Sequence, residues 1–122
     1  MITLFGIKNC DTVKKALKWL NRENVAYQFH DFRKDGLDED LVDSFLKNLD
    51  YSVLINARGT TWRKLSDEQK ANMDEAKARN LMLTYDAIIK RPVWLFADGT
   101  MNIGFAKKEQ AAIAEKLRVK PI

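Results

Sequence analysis

The stretch Ile2-Thr3-Leu4-Phe5-Gly6-Ile7-Lys8-Asn9-Cys10-Asp11-Thr12-Val13 decides the architecture. Its start is apolar and β-compatible, and Lys8-Asn9-Cys10-Asp11 then brings the polar groups of a turn and a helix start. From there Val13, Ala16, Leu17 and Leu20 recur at helical spacing, while Lys14, Lys15, Lys18 and Arg22 point elsewhere, which predicts an amphipathic helix. Val25, Tyr27 and Phe29 next alternate with Ala26, Gln28 and His30, the period of a strand. Strand, helix and strand in such close succession form a βαβ unit, whose strands should run parallel through a right-handed crossover.

Outward from this unit, Lys34-Asp35-Gly36 reads as a turn and Asp38 as the cap of a helix striped by Leu41, Val42, Phe45, Leu46 and Leu49. Ser66 followed by Gln69 spells a capping box for another helix. The chain from Asp38 to about Lys90 is therefore expected to be helical, with a break around Asn56-Ala57-Arg58-Gly59-Thr60. Strand character returns at Val93-Trp94-Leu95-Phe96, and Asp98-Gly99 signals a tight hairpin into Met101 to Ile103. A last helix should run from about Lys107 to Leu117. The order β-α-β, helical insertion, β-β-α predicts an α/β thioredoxin-like fold with a mixed sheet: one domain over residues 1–122, with the insertion at about 37–90.

Composition narrows the function. With 122 residues, 46% of them hydrophobic, a core needs neither metal nor crosslink. A single cysteine forbids an intrachain disulfide, and one cysteine with one histidine cannot furnish the three or four protein ligands of a zinc site, so no metal is expected. No run approaches the roughly 20 apolar residues of a membrane span, and Met1 to Phe5 lack a basic start, so a cytoplasmic protein with no membrane partner is expected. The net charge of +4 arises from 21 basic and 17 acidic residues spread along the chain, a balance that does not demand nucleic acid. A monomer is expected.

Cys10 is the most informative residue, because its place at a helix start faces orphan N–H groups and the positive end of the helix dipole, which favour a thiolate. Lys8 and Lys14 act in the same direction and Asp11 opposes them. The plain alternative is a small buried hydrophobe. A dithiol pair needs a second cysteine where Val13 stands, so a resolving thiol must come from another molecule. A C-x5-R phosphatase loop needs arginine where Ala16 stands, and a Cys/His pair would require His30, which belongs to the second strand. Neither a G-x-G-x-x-G run nor a Walker A run is present, and Gly6 stands isolated. Pro92, where helix gives way to strand in Lys90-Arg91-Pro92-Val93, is placed for a cis peptide bond facing the cysteine, although any proline can end a helix. Arg91 and Arg58 are candidate anion binders through the guanidinium fork. Trp19, Trp62 and Trp94, with Leu81-Met82-Leu83, read as packing residues.

Three segments carry a resemblance: Phe5-Gly6-Ile7 with Cys10-Asp11-Thr12-Val13 and Ala16; Asn56-Ala57-Arg58-Gly59-Thr60-Thr61-Trp62-Arg63-Lys64-Leu65; and Ile89-Lys90-Arg91-Pro92-Val93. In these the chain resembles the ArsC-like family of bacterial thioredoxin-fold proteins, closest to its YffB-type branch and related to the Spx regulators. The resemblance implies a nucleophilic Cys10, with Lys8, Thr12, Arg58, Arg91 and Pro92 binding the substrate or its anionic groups. It implies a glutathione-dependent monothiol reductase with no bound cofactor, with glutathione as co-substrate and glutaredoxin as a further partner. Arsenate reductases of the family carry a third arginine soon after the hairpin, where this chain reads Ile103-Gly104-Phe105-Ala106-Lys107, which argues against arsenate. The alternatives are an Spx-like regulator that binds RNA polymerase without a C-x-x-C switch, and a true arsenate reductase.

Overall fold

The computed structural model describes residues 1–122 and divides them into two compact units, Met1–Gly36 with Arg91–Ile122, and Leu37–Lys90.

In the first unit β1 (Ile2–Gly6), α1 (Asp11–Arg22) and β2 (Tyr27–Asp31) follow in order, and β1 pairs parallel to β2 with Leu4 opposite Phe29. β3 (Val93–Leu95) lies antiparallel on the other side of β1, and β4 (Met101–Ile103) antiparallel beyond it, so the sheet order is β2-β1-β3-β4. The sheet is thus mixed, and the thioredoxin-like reading holds. One face of it is sealed by the apolar stripes of α1 and of the last helix, Lys107–Leu117. Ile2, Leu4, Trp94 and Phe96 meet Ala16, Trp19, Leu20, Ile113 and Ala114 in a buried cluster. Two of the three tryptophans are spent there: Trp19 and Trp94 cross edge to face at 6.3 Å, and Trp94 Nε1 donates to Gly104 O at 2.9 Å.

Val25 falls outside the strand that its alternation suggests. Asn24 adopts a left-handed conformation (φ 56°), its N–H donates to Asn21 O, and the Val25 N–H reaches back to Leu20 O at 3.0 Å. This double bond pattern satisfies the orphan carbonyls at the end of α1 and uses Val25 as the apolar stop. The alternation persists while the backbone groups are committed to a cap.

The second unit is helical, as expected, but in shorter pieces. α2 (Glu39–Asn48) is capped by Asp38, whose carboxylate accepts from the Leu41 N–H at 2.9 Å. α3 (Tyr51–Leu54) and α4 (Thr60–Arg63) flank the expected break. The capping box at Ser66 and Gln69 forms, yet α5 (Asp67–Lys70) lasts a single turn. Asn72 takes a positive φ of 52°, and Asp74 then caps a new helix, α6 (Glu75–Thr84). A 3-10 turn at Asp86–Ile88 leads to an isolated bridge between Ile55 and Ile89. Val42, Phe45, Leu54, Ala78, Met82, Ile88 and Ile89 are fully buried. The final helix, α7 (Lys107–Leu117), has the expected bounds.

The β3–β4 hairpin turns at Asp98-Gly99, where Gly99 has a φ of 88°. Asp98 accepts the Thr100 hydroxyl at 2.6 Å and the Thr100 N–H at 3.0 Å, and Lys116 of α7 pairs with it at 3.0 Å. The Thr100 hydroxyl bond first, then the backbone bond and Lys116, hold the Asp98 carboxyl well below the usual carboxylate range. A folded value below the unfolded one means stabilisation that is present above the ordinary carboxylate range and lost as pH falls through it. Urea midpoints should therefore place Asp98→Asn below the parent near neutral pH, with the gap narrowing below about pH 4. A gap independent of pH would contradict this role.

Candidate functional site

The chain leaves the sheet at Gly6, and the next four residues build the site. Ile7 is buried, Lys8 and Asn9 are exposed, and Cys10 is partly exposed at the N-cap of α1. Cys10 is extended (φ −127°, ψ 123°), and its carbonyl accepts the first helical bond, from the Lys14 N–H at 2.9 Å. N-cap positions favour Ser, Thr, Asp or Asn, whose side-chain oxygens satisfy first-turn N–H groups and contribute about 1 kcal/mol. Here a sulfur stands in that place and makes no capping bond. The side-chain cap that Asp38, Asp50, Ser66 and Asp74 give their helices is missing here, as it is at Gly59 and Ala106. Thr12 is exposed in the first turn, and Lys14 Nζ reaches Asn9 Oδ1 at 3.5 Å across the loop.

Gly6 determines how closely this loop and helix approach the sheet. A Cβ on Gly6 would lie 2.8 Å from Val13 Cγ2, so only hydrogen fits between β1 and the first turn of α1; its 3.8 Å distance to Arg91 Cβ, on the segment entering β3, is an ordinary contact. The Gly6 carbonyl accepts from the Phe32 N–H at 2.8 Å, fixing its other side to the end of β2. Gly6 looks isolated in the sequence because its neighbours in space stand 7 and 85 places further along the chain, at Val13 and Arg91.

The Arg91-Pro92 bond is cis, as expected. Pro92 is buried and its carbonyl accepts from the Gly104 N–H at 2.8 Å. Phe5 pairs with Val93 in the antiparallel register, and continuing that register sets Pro92 across from Gly6. Arg91 and Pro92 thus stand beside the strand end from which the cysteine loop departs. Arg58 belongs to the helical unit, where it is exposed on a turn closed by the Asn56 side chain, which accepts the Arg58 N–H at 3.2 Å. Gly104 (φ 87°), Phe105 and Ala106 occupy the region after the hairpin, where no arginine is present, and Lys107 and Lys108 are exposed in the first turn of α7. His30 has a packing role: its ring lies 5.2 Å from that of Phe5, and Nε2 is 2.7 Å from Gly36 O. No group of three or more His, Cys, Asp and Glu side chains is arranged to hold a metal ion, and no helix is long and apolar enough to cross a membrane.

The ArsC family model matches residues 5–113, a span that includes the cysteine loop, the Asn56 turn and the Arg91-Pro92 segment. The chain belongs to the ArsC family. An uncharacterised protein of Haemophilus influenzae is 46% identical over 93% of this chain and all of its own length. The global transcriptional regulator Spx of Streptococcus mutans is 30% identical, covering 89% of this chain and 80% of the regulator. Among solved structures, a protein named YffB superposes with a TM-score of 0.82 at 43% identity, covering 92% of this chain and 97% of that one. An arsenate reductase-related protein from Brucella melitensis gives 0.77 at 45% identity, covering 91% and 92%. An arsenate reductase from Vibrio cholerae shares the fold, with a TM-score of 0.71 at 11% identity over 98% and 97% of the chains.

The Gly6 contact is testable. Gly6→Ala should destabilise the protein by about 1–3 kcal/mol through overpacking against a fully buried valine. Adding Val13→Ala should cost less in the Gly6→Ala background than in the parent, because the second change removes the clashing methyl. Denaturant midpoints of the four proteins measure this, and additive losses would contradict the contact.

Proposed function

We propose that the protein is a glutathione-dependent monothiol reductase acting through Cys10. The observation that carries this reading is the sulfur at the N-cap of α1, partly exposed and outside the helix's own hydrogen bonding. The orphan N–H groups of the first turn and the positive end of the helix dipole face this position, where they can meet an anionic group of an incoming substrate. In the first step the Cys10 thiolate attacks one sulfur of a disulfide, the S–S bond breaks, and a thiolate leaves as a new Cys10 disulfide forms. When the substrate is a glutathione mixed disulfide, that product is Cys10 joined to glutathione. In the second step a glutathione thiolate attacks this disulfide, the Cys10 thiolate is released, and glutathione disulfide departs. Over the two steps, one glutathione thiol and the mixed disulfide become the free substrate thiol and glutathione disulfide, and Cys10 returns to its starting state.

The resolving thiol is external in this reading because Val13, at the place where a C-x-x-C pair would put its second sulfur, is fully buried against Gly6. The same position weighs against a thiol-disulfide switch in the Spx manner. The kinship with Spx regulators nevertheless supports a second reading, a module that binds RNA polymerase. The two separate cleanly: the first requires turnover of a glutathione mixed disulfide, the second requires polymerase capture that survives Cys10→Ser.

Arginine forks suit carboxylates, and glutathione presents two carboxylates at separate points of an extended backbone. Arg91 and Lys8 are the groups we assign to them. Arsenate, a compact multivalent anion, requires several donors converging on one point beside the sulfur, and the region after the hairpin offers no arginine for that set. Steady-state assays should show glutathione-coupled reduction that Cys10→Ser abolishes. Arg91→Ala should act mainly by raising KM for glutathione, by about 10-fold for one lost charge-assisted contact. Arsenate reduction should stay far below mixed-disulfide reduction. Efficient arsenate turnover without affinity for glutathione would overturn the assignment and make Lys107 or Lys108 the missing cation.

A further inference from the structure

The solvent face of α1 carries a charge pattern that, Lys8 apart, the reaction at Cys10 does not use. Lys8, Asp11, Lys14, Lys15, Leu17 and Lys18 line a groove of about 610 Å³. All four lysines are exposed, none of the four is in an ion pair, and Asp11 is the single carboxylate among them. Arg22, farther along the same helix, is already committed to Glu23 at 2.9 Å and to Pro121 O. Leu17 is half-buried and supplies an apolar strip between the lysine stems.

The arrangement selects among anions. Positions 11, 14, 15 and 18 lie along one side of the helix, so neighbouring charges are separated by about 5–6 Å rather than converging on a point. A compact oxyanion cannot meet them together, whereas carboxylates projecting from an extended chain can. Asp11 to Asn21 spans about 15 Å of helix, the length of roughly 4–5 extended residues. Nucleic acid is a poor match, because none of the lining residues is an aromatic on which a base could stack, and none is an arginine. A lipid surface is a poor match too, since one half-buried leucine offers little of the apolar face that interfacial helices bury.

We propose that this groove docks an acidic, partly apolar segment of a protein substrate, next to the cysteine whose mixed disulfide Cys10 attacks. Lys8, from the loop that leads to Cys10, and Asp11, which follows Cys10 in the chain, both line the groove. The proposal rests on the reading of Cys10 as a nucleophile and adds the class of substrate: a glutathionylated protein with carboxylates flanking its modified cysteine.

The test uses two peptides of about eight residues, enough to span the groove, each with one glutathionylated cysteine. One has Asp, Glu and Leu beside it, and the other has Asn, Gln and Leu. The full-length protein should reduce the acidic peptide with a kcat/KM about 10-fold higher at low salt, the difference lying in KM and fading as salt is raised. Lys15→Glu with Lys18→Glu, both exposed helix positions, should bring the ratio of the two peptides to one or below. Anisotropy of the fluorescent acidic peptide with Cys10→Ser protein reads docking apart from chemistry. Binding without turnover of any disulfide by the parent would sink the Cys10 reading and leave a basic groove that docks acidic segments. Equal turnover of both peptides, unaffected by the lysine changes, would sink the groove alone. Tighter capture of a single-stranded oligonucleotide or of anionic vesicles than of the acidic peptide, lost in the lysine variant, would also overturn the proposal.

Discussion

The close approach of β1 to α1 at Gly6 is the constraint on which the site depends. With 2.8 Å between a would-be Cβ and Val13 Cγ2, the first turn of the helix can sit against the strand only because residue 6 has no side chain. That contact sets where α1 begins, and the helix start is what gives Cys10 its surroundings: an extended backbone, a carbonyl tied to the Lys14 N–H, and a sulfur in the place of a capping oxygen. A Cβ at the same position would lie within ordinary contact distance of Arg91 Cβ, 3.8 Å, so Gly6 stands beside both segments that bear the candidate chemistry of this unit. Packing density, which makes a single methyl costly in a filled core, is here also the means by which Cys10 is positioned.

Much of this was legible in the sequence where local chemistry and global fold agree. The stripe Val13, Ala16, Leu20 is buried as its spacing says, the Asp98-Gly99 turn forms the hairpin, and Lys107 to Leu117 is a helix with those bounds. Pro92 and Cys10 could be singled out because proline and cysteine at element boundaries are rare enough to be informative. The contact at Gly6 was not legible, since no pattern in a linear sequence reports that Val13 and Arg91 converge on one Cα. Val25 went astray for a different reason. Alternation is a local signal, and the preceding Asn24, at positive φ, redirects the backbone first; the helix that Ser66 and Gln69 announce does form, but a capping box marks where a helix starts and not how long it runs. Asn tolerates the left-handed region more readily than most residues, but it does not require it.

Charge is distributed by role rather than by sum. The net charge of +4 says little, yet the paired and unpaired groups segregate. Arg79 is held by Asp43 at 2.6 Å and Glu39 at 3.6 Å, and Lys116 by Asp98, as parts of the scaffold. The lysines along α1 have no such partners, and they lie on the helix that Cys10 caps. If Cys10 acts as proposed, with no second thiol in the chain, other molecules must both bring the disulfide and resolve it, and specificity then lies in the surface around the sulfur.

The central claim is that Cys10 forms a disulfide with glutathione and gives it up to a second glutathione. Intact-protein mass spectrometry during incubation with glutathione disulfide tests this most directly, with peptide mapping to locate the adduct. The account predicts one glutathione on Cys10, absent from Cys10→Ser, and rapid return to the free protein when reduced glutathione is added. An adduct that never forms in the folded protein, or one that forms and resists reduced glutathione, would contradict it.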